Sequence, residues 1–383
     1  MKKFISLLVL AAMVMMLLAG CGSGSSETPA PASTPESGAE GGGGDAPAED
    51  KTLHLIYVGG TLGDAGIADA TYDGYDRACK ELPIKGEYIE LPTDKANYKA
   101  TMLEACDANP DLIVTSAGSG MIDIVIELAP EYPDTKFMVL DTGLDQQEAV
   151  KDLDNFYGIL CAQNEVSYLC GYLGIKMSKT NKIGVVVGVE YPTLQDFITG
   201  YIYGALAADP DAKVAVAASG SWVDLSAAKE AALAQIRQGC DTVYCVGAAS
   251  SFGSLEACKE QGVWGIGCDT DLAAQFIGVD DEQADCIITS AYKDWGQVTY
   301  DWIKACCEDM NSLKWGTVNL FGIADGGCKI IQNDIYKKQV PADVQAEMND
   351  LIDQIVDGKI DIPSFFDMTE EDYNALKESV VIK

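Results

Sequence analysis

The sequence has 383 residues, 48% of them hydrophobic, and a formal net charge of −33 from 26 basic and 59 acidic residues. A surface this acidic repels phosphate backbones, which argues against nucleic acid as a partner and disfavours flat docking on an anionic membrane. The single histidine, His54, starts a strand, so Ser-His-Asp and Cys-His centres lack a base, histidine-built metal sites are excluded, and only carboxylate pairs remain for acid–base work. Neither an enzyme nor a cofactor is expected.

The chain opens on Lys2 and Lys3, followed by an apolar run, Phe4 to Leu18, that is short for a membrane span and of signal-peptide length. Leu18-Ala19-Gly20-Cys21 resembles the bacterial lipobox, in which the Cys sulfur receives diacylglycerol. Residues 1–20 are thus expected to be a signal peptide and Cys21 the lipid anchor. Residues 21–51, rich in Gly, Ser, Pro and Ala with a few acids, have almost nothing to bury and read as a flexible tether. The folded part is expected on the extracellular face of a cell membrane of Gram-positive type. The other 12 cysteines form no CxxC and no Cys/His cluster; they sit among Ala, Val and Ile and read as free, buried small hydrophobes, with a few disulfides as the alternative. Free thiols on an exported chain fit a reducing, anaerobic habitat.

From Thr52 onward the chain is long enough for two cores. Leu53 to Val58 reads as a strand, Gly59 to Gly66 as a turn, and Ile67 to Leu82 as a helix with Ile67, Ala70, Gly74, Ala78 and Leu82 near one face. Leu112 to Val114 and Phe137 to Leu140 are buried strands. Glu165 to Lys179 is helical, Ile183 to Val187 a strand, and Thr193 to Ala208 a helix. Strands at Val214 to Ala218, Thr242 to Val246 and Val263 to Cys268 are separated by helices at Asp224 to Gln238 and Ser250 to Gln261. A late strand, Cys286 to Ser290, precedes a helix from Trp295 to Met310. The segment after Gly327 reads as an extra strand and helices.

Alternation of this kind means parallel sheets, and the pattern restarts near Asn181, so the fold class is α/β with two Rossmann-like lobes. Ligands in such folds bind beyond the carboxyl ends of the strands. The turns there are Gly59 to Gly66, Ser116 to Gly120, Asp141 to Gly143, Val187 to Pro192, Ser219 to Asp224, Gly247 to Gly253 (which holds Phe252) and Cys268 to Asp271. Nearly all combine Gly with Asp, Ser or an aromatic residue, a lining suited to a neutral polar ligand. Gly60, Gly63 and Gly66 are neither GxGxxG nor a Walker loop, and the acids beside them argue against an anion.

These turns carry a resemblance. Leu62-Gly63-Asp64 with Asp69-Ala70-Thr71-Tyr72-Asp73-Gly74, Tyr132 to Phe137 running to Asp141, Glu165 to Gly171 with Pro192, Phe197 and Gly200, and Gly239-Cys240-Asp241 through Ile266 to Asp271 with Thr289, Ser290 and Lys293 are similar, in order and spacing, to the basic membrane protein family of ABC-transporter substrate-binding lipoproteins. That group contains purine nucleoside receptors. The resemblance implies a type I periplasmic-binding fold with a three-stranded hinge, crossed near Cys161, Ser290 and Gly322. It implies lobes formed by residues 52–161 plus 289–321 and by residues 162–288 plus 322–383. It further implies that Asp269 accepts ribose hydroxyls, that Lys293 donates from the hinge, that Asp64 and Asp141 reach the ligand from the first lobe, and that Trp222 stacks on the base.

The departures fall on base recognition. The family's Ser-Phe-Asn is Gly66-Ile67-Ala68 here, and its Gly-Phe pair is Gly118-Ser119. The ligand-binding set expected is therefore Asp64, Gly66, Ile67, Ser119, Asp141, Trp222, Phe252, Asp269 and Lys293, with no metal. The function expected is a lipid-anchored, monomeric receptor that closes on a nucleoside-like ligand and delivers it to an ABC permease. Receptors for a sugar or signal molecule, and a surface sensor or adhesin without a transporter, are the alternatives.

Overall fold

The computed structural model describes residues 52–382 apart from 65, 93, 117 and 118. The expected signal peptide, Cys21 and the tether lie outside the described residues, as do Gly118 and the side chain of Ser119.

The chain begins with β1 (Leu53–Gly59), α1 (Ile67–Glu81), β2 (Ile84–Glu90), α2 (Tyr98–Asp107), β3 (Leu112–Thr115), α3 (Ser119–Leu128), β4 (Lys136–Leu140), a short α4 (Gln147–Val150) and β5 (Phe156–Cys161). It continues through α5 (Gln163–Met177), β6 (Lys182–Val187), α6 (Pro192–Ala208), β7 (Lys213–Ala218), α7 (Leu225–Arg237), β8 (Thr242–Val246), α8 (Ser251–Gln261), β9 (Trp264–Asp269), α9 (Asp281–Cys286) and β10 (Ile287–Lys293). It ends with α10 (Trp295–Glu308), β11 (Thr317–Phe321), β12 (Cys328–Ile330), α11 (Asp334–Gln339), α12 (Ala342–Val356) and α13 (Glu370–Ser379).

Two six-stranded sheets result, in the orders β11-β5-β4-β3-β1-β2 and β12-β10-β9-β8-β6-β7. All neighbours are parallel except β10 and β12. Strands β3, β5 and β8 are wholly buried apolar runs, as parallel strands covered by helices on both faces must be. Each sheet has its own core: Phe137, Phe156, Met102 and Trp295 belong to the first, Phe197, Tyr201, Tyr244 and Tyr336 to the second. The molecule is thus a two-lobed α/β fold.

The chain passes between the lobes three times, at Cys161–Gln163, at Lys293–Trp295 and between Phe321 and Cys328. The crossings run side by side. Ala162 N donates to Phe321 O at 2.8 Å, Asp294 N to Gly327 O at 3.0 Å, and Ile323 N to Glu165 Oε2 at 2.7 Å. The second crossing comes after Lys293 rather than near Ser290, because Ala291 and Tyr292 still pair with Cys268 and Asp269 in the second sheet.

All 12 cysteines among the described residues are free, nine of them buried. They fill the interior as small apolar groups.

Helices α5 and α6 pack almost backbone to backbone. A Cβ on Gly171 would lie 2.0 Å from Tyr201 O, one on Gly200 2.1 Å from Asn164 O, and one on Gly204 1.9 Å from Tyr168 O. Only glycine permits that approach, and it fixes α6, whose first turn borders the cleft. Gly204→Ala should therefore cost about 1–3 kcal/mol through overpacking, read as a lower midpoint in urea or thermal unfolding. An unchanged midpoint would show that the helices separate freely.

Candidate functional site

Three strand ends converge where the lobes meet. Lys293 closes β10, Asp269 closes β9, and Asp141 follows β4 of the other sheet. Parallel topology puts all three at carboxyl ends, where α/β folds bind ligands. Both aspartates hold left-handed backbone, φ 60° at Asp141 and 64° at Asp269, an uncommon conformation for a side-chain-bearing residue and one concentrated at functional sites. Local hydrogen bonds hold each turn: Thr142 Oγ1 donates to Val139 O and Thr142 N to Ile159 O, while Thr270 N donates to Cys268 O.

The Lys293 ammonium lies 3.1 Å from Asp269 Oδ1 and 3.7 Å from Asp141 Oδ1. The three side chains are 5%, 16% and 12% exposed, so their charges face each other with little water between. Nζ also lies 4.9 Å from the Phe197 ring centroid and 5.2 Å from that of Trp295, on whose faces a cation is favoured. Burial works against the charged lysine, but the attraction of Asp269 and Asp141 prevails and holds its pKa well above the ordinary value. Burial pushes the Asp141 carboxyl up; Lys293 pulls it back and the charge on Asp269 adds to the rise.

Asp141 Oδ1 and Asp269 Oδ1 are buried and, beyond the Lys293 ammonium, meet no donor among the described residues. Two carboxylates around one ammonium leave an excess negative charge and spare acceptor capacity, an arrangement complementary to hydrogen-bond donors. Tyr191, next to the first turn of α6, reaches across from the second lobe: its hydroxyl donates to Asp141 Oδ2 at 3.5 Å. Burial and the Asp141 charge push this phenol far above its ordinary pKa, so it stays a neutral donor.

The structure brings Asp141, Asp269 and Lys293 together and gives the remaining expected residues varied surroundings. Trp222 lies against Gly188, where a Cβ would fall 2.5 Å from its ring, and meets Tyr191 edge-on at 6.3 Å between centroids. With Tyr191 it forms an aromatic corner on the second lobe. Asp64 caps the start of α1, accepting from Gly66 N at 2.8 Å and from Ala68 N and Asp69 N at 3.2 Å. Gly66 is buried beside Asp64, and Ile67 is half-buried against the first core. Phe252 meets Phe276 edge-on at 5.8 Å and packs on the α8 core. Ser119 begins α3, with its side chain outside the described residues. His54 sits at the opposite, amino end of β1, beside Glu87 at 3.4 Å. No group of metal-ligating side chains occurs among the described residues.

Tyr191 was not singled out from the sequence, although its turn was. The available signal was an aromatic residue immediately before Pro192 at the junction of a buried strand and a helix.

Residues 51–364 match the family model described as ABC transporter substrate-binding protein PnrA-like, or Bmp. The chain belongs to this family. It is 26% identical to Basic membrane protein A2 of Borrelia garinii subsp. bavariensis over 80% of its own length and 87% of that protein's. It is also 26% identical to the ABC transporter nucleoside-binding protein BmpA of Lactococcus lactis subsp. cremoris, over 79% of this chain and 86% of that one. In fold it is similar to an ABC transporter solute-binding protein from Aeropyrum pernix, with a TM-score of 0.71 and 22% identity over 85% of this chain and 98% of that one. An arabinose-binding protein from Geobacillus stearothermophilus shares the fold at a TM-score of 0.57 and 16% identity, over 76% of this chain and 100% of that one. This Bmp-family chain is an ABC transporter substrate-binding protein with the periplasmic-binding architecture.

Lys293→Met removes the cation that, among the described residues, faces the two buried carboxylates. At pH 7 it should cost about 3–5 kcal/mol. The deficit should shrink as pH falls and the Asp141 carboxyl, pushed up by burial and by the charge on Asp269, takes up a proton. In the wild type the Lys293 contribution is present below the unfolded lysine value of about 10.4 and is lost only as pH rises through the higher folded value. Urea unfolding of the variant between pH 4.5 and 8 checks this; a deficit independent of pH would contradict the assignment.

Proposed function

We propose that this protein is an extracytoplasmic receptor of an ABC importer, anchored through Cys21, which closes its two lobes on a nucleoside-like ligand and hands it to a membrane permease. The observation that carries the reading is the convergence of Asp141, Asp269 and Lys293 at strand ends of both lobes, two carboxylates whose acceptor capacity exceeds what one ammonium fills. Ligand hydroxyls fill those acceptors, with Asp269 taking sugar hydroxyls and Lys293 donating from the hinge. The Trp222 and Tyr191 corner is the surface for a planar base. The Lactococcus relative, whose name states nucleoside binding, supports the class of ligand.

Closure is a hinge motion about the three crossings, and the ligand shifts its balance by binding the closed form better. The moving bodies are bounded at Cys161–Gln163, Lys293–Trp295 and Phe321–Cys328. The excess carboxylate excludes phosphorylated ligands, so nucleosides bind and nucleotides do not. The ligand is released unchanged, and a mass measurement after incubation returns it intact. A second reading, a receptor for a pentose or similar polyol, is favoured by Gly66 and Ile67, which put no aromatic ring at the turn into α1.

A thermal-shift panel separates the readings. Adenosine, guanosine, inosine, cytidine, ribose and adenosine monophosphate are each added to the wild type. A bound nucleoside should stabilise by about 2.7 kcal/mol at one hundred times its Kd, with no shift from the monophosphate. A shift from ribose alone selects the second reading, and no shift from any nucleoside rules out the first.

A further inference from the structure

The C-terminal segment touches both loops that carry the cleft contacts. Phe365 is buried in the second-lobe core, whereas the adjacent Phe366 packs against the core of the first. The Phe366 ring lies 3.3 Å from where a Cβ on Gly143 would stand, two residues beyond Asp141. The segment is fixed to α6 by the buried Asp196, which accepts from Ser364 Oγ at 2.7 Å and Phe365 N at 2.8 Å through Oδ1, and from Gln163 Nε2 at 2.9 Å through Oδ2. Gln163 itself follows the first crossing. Farther on, α13 grips Glu190: its Oε1 accepts from Tyr373 Oη at 2.8 Å and Lys377 Nζ at 3.2 Å. Tyr373 is fully buried, and Glu190 immediately precedes Tyr191.

We propose that Tyr191 is a cross-lobe latch and that the segment Ser364–Lys377 is the clasp that positions it. The phenol hydroxyl bonds from the second lobe onto Asp141 of the first, so the protein carries its own donor for the carboxylate that a ligand hydroxyl would otherwise fill. The latch sets the balance between open and closed lobes and the width of the cleft that a ligand enters. A ligand must either displace the phenol from Asp141 or bind beside it, which makes Tyr191 a specificity-determining residue. This last consequence rests on the proposed binding at Asp141; the latch itself does not. Glu190, Tyr373 and Phe366 are positioning residues: they act through the two loops.

The geometry gives each partner a distinct role. Trp222 packs edge-on against the Tyr191 ring. Thr142 and its bond to Ile159 hold the opposite loop. The clasp spans both, so lobe separation must either break the Phe366 contact or pull on α13.

Hydrogen–deuterium exchange on the full folded chain, with no nucleoside added, tests the latch without reference to any ligand. Tyr191→Phe keeps the ring and removes the donor. One long bond to a carboxylate, at 3.5 Å, lies at the weak end of the range and should raise the open fraction about two- to threefold. Exchange should rise by that factor in loops 141–146 and 188–191 and stay unchanged in β8. Tyr373→Phe, which removes one of the two donors to Glu190 and leaves Lys377, should raise exchange at 188–191 by a smaller factor. Unchanged exchange in Tyr191→Phe overturns the latch; a rise throughout the second lobe also overturns it, because it marks a merely structural role. If the thermal-shift panel finds no nucleoside while these loops respond as expected, the binding reading fails and the latch stands.

Discussion

A buried ammonium between two carboxylates is the constraint on which the molecule depends. Lys293 is almost without water, and only the charges of Asp269 and Asp141 make its burial tolerable. Those charges come from different sheets, so the lobes cannot separate without changing the surroundings of all three groups. Removing one member of such a cluster costs far more than it would at the surface. The hinge runs directly beside it: Lys293 ends β10, and the next residue, Asp294, bonds to the third crossing through Gly327. Charge, hinge and cleft are thus one local structure, which explains why the aspartates keep an unfavourable left-handed backbone.

The sign of the site follows from the same arithmetic. One lysine cannot neutralise two aspartates, and the chain as a whole is strongly acidic. Such a cleft welcomes hydroxyl and amine donors and repels phosphate. Trp222 and Tyr191, which meet edge-on, add an aromatic corner beside the charges.

Much of this was legible in the residues. Buried strands such as β4, β6 and β8 are short β-rich runs bounded by turn residues, and their alternation with helices implies two parallel sheets. Asp269, Lys293 and Asp141 stood out because each sits at a strand end within a resembling motif. Strand β2 was not legible: Ile84–Glu90 is half exposed at a sheet edge and shows no apolar run. The end of β10 was misplaced because Tyr292 and Lys293 read as polar, although pairing with β9 carries the strand through them. Asp64 shows the limit of local patterns, since a helix cap and a ligand contact need the same residue at the same place, and here its oxygens serve three backbone amides. Tyr191 was missed because its role is made by Asp141, Glu190 and α13, which are distant in sequence.

The central claim is that the Asp141, Asp269 and Lys293 cluster is where a ligand is held. Calorimetric titration of adenosine, guanosine and inosine into the wild type and into an Asp141→Asn, Asp269→Asn double variant tests it most directly. The account predicts one site per chain for at least one nucleoside in the wild type and no measurable heat in a double variant that still unfolds cooperatively. Equal affinity in the two proteins would contradict it.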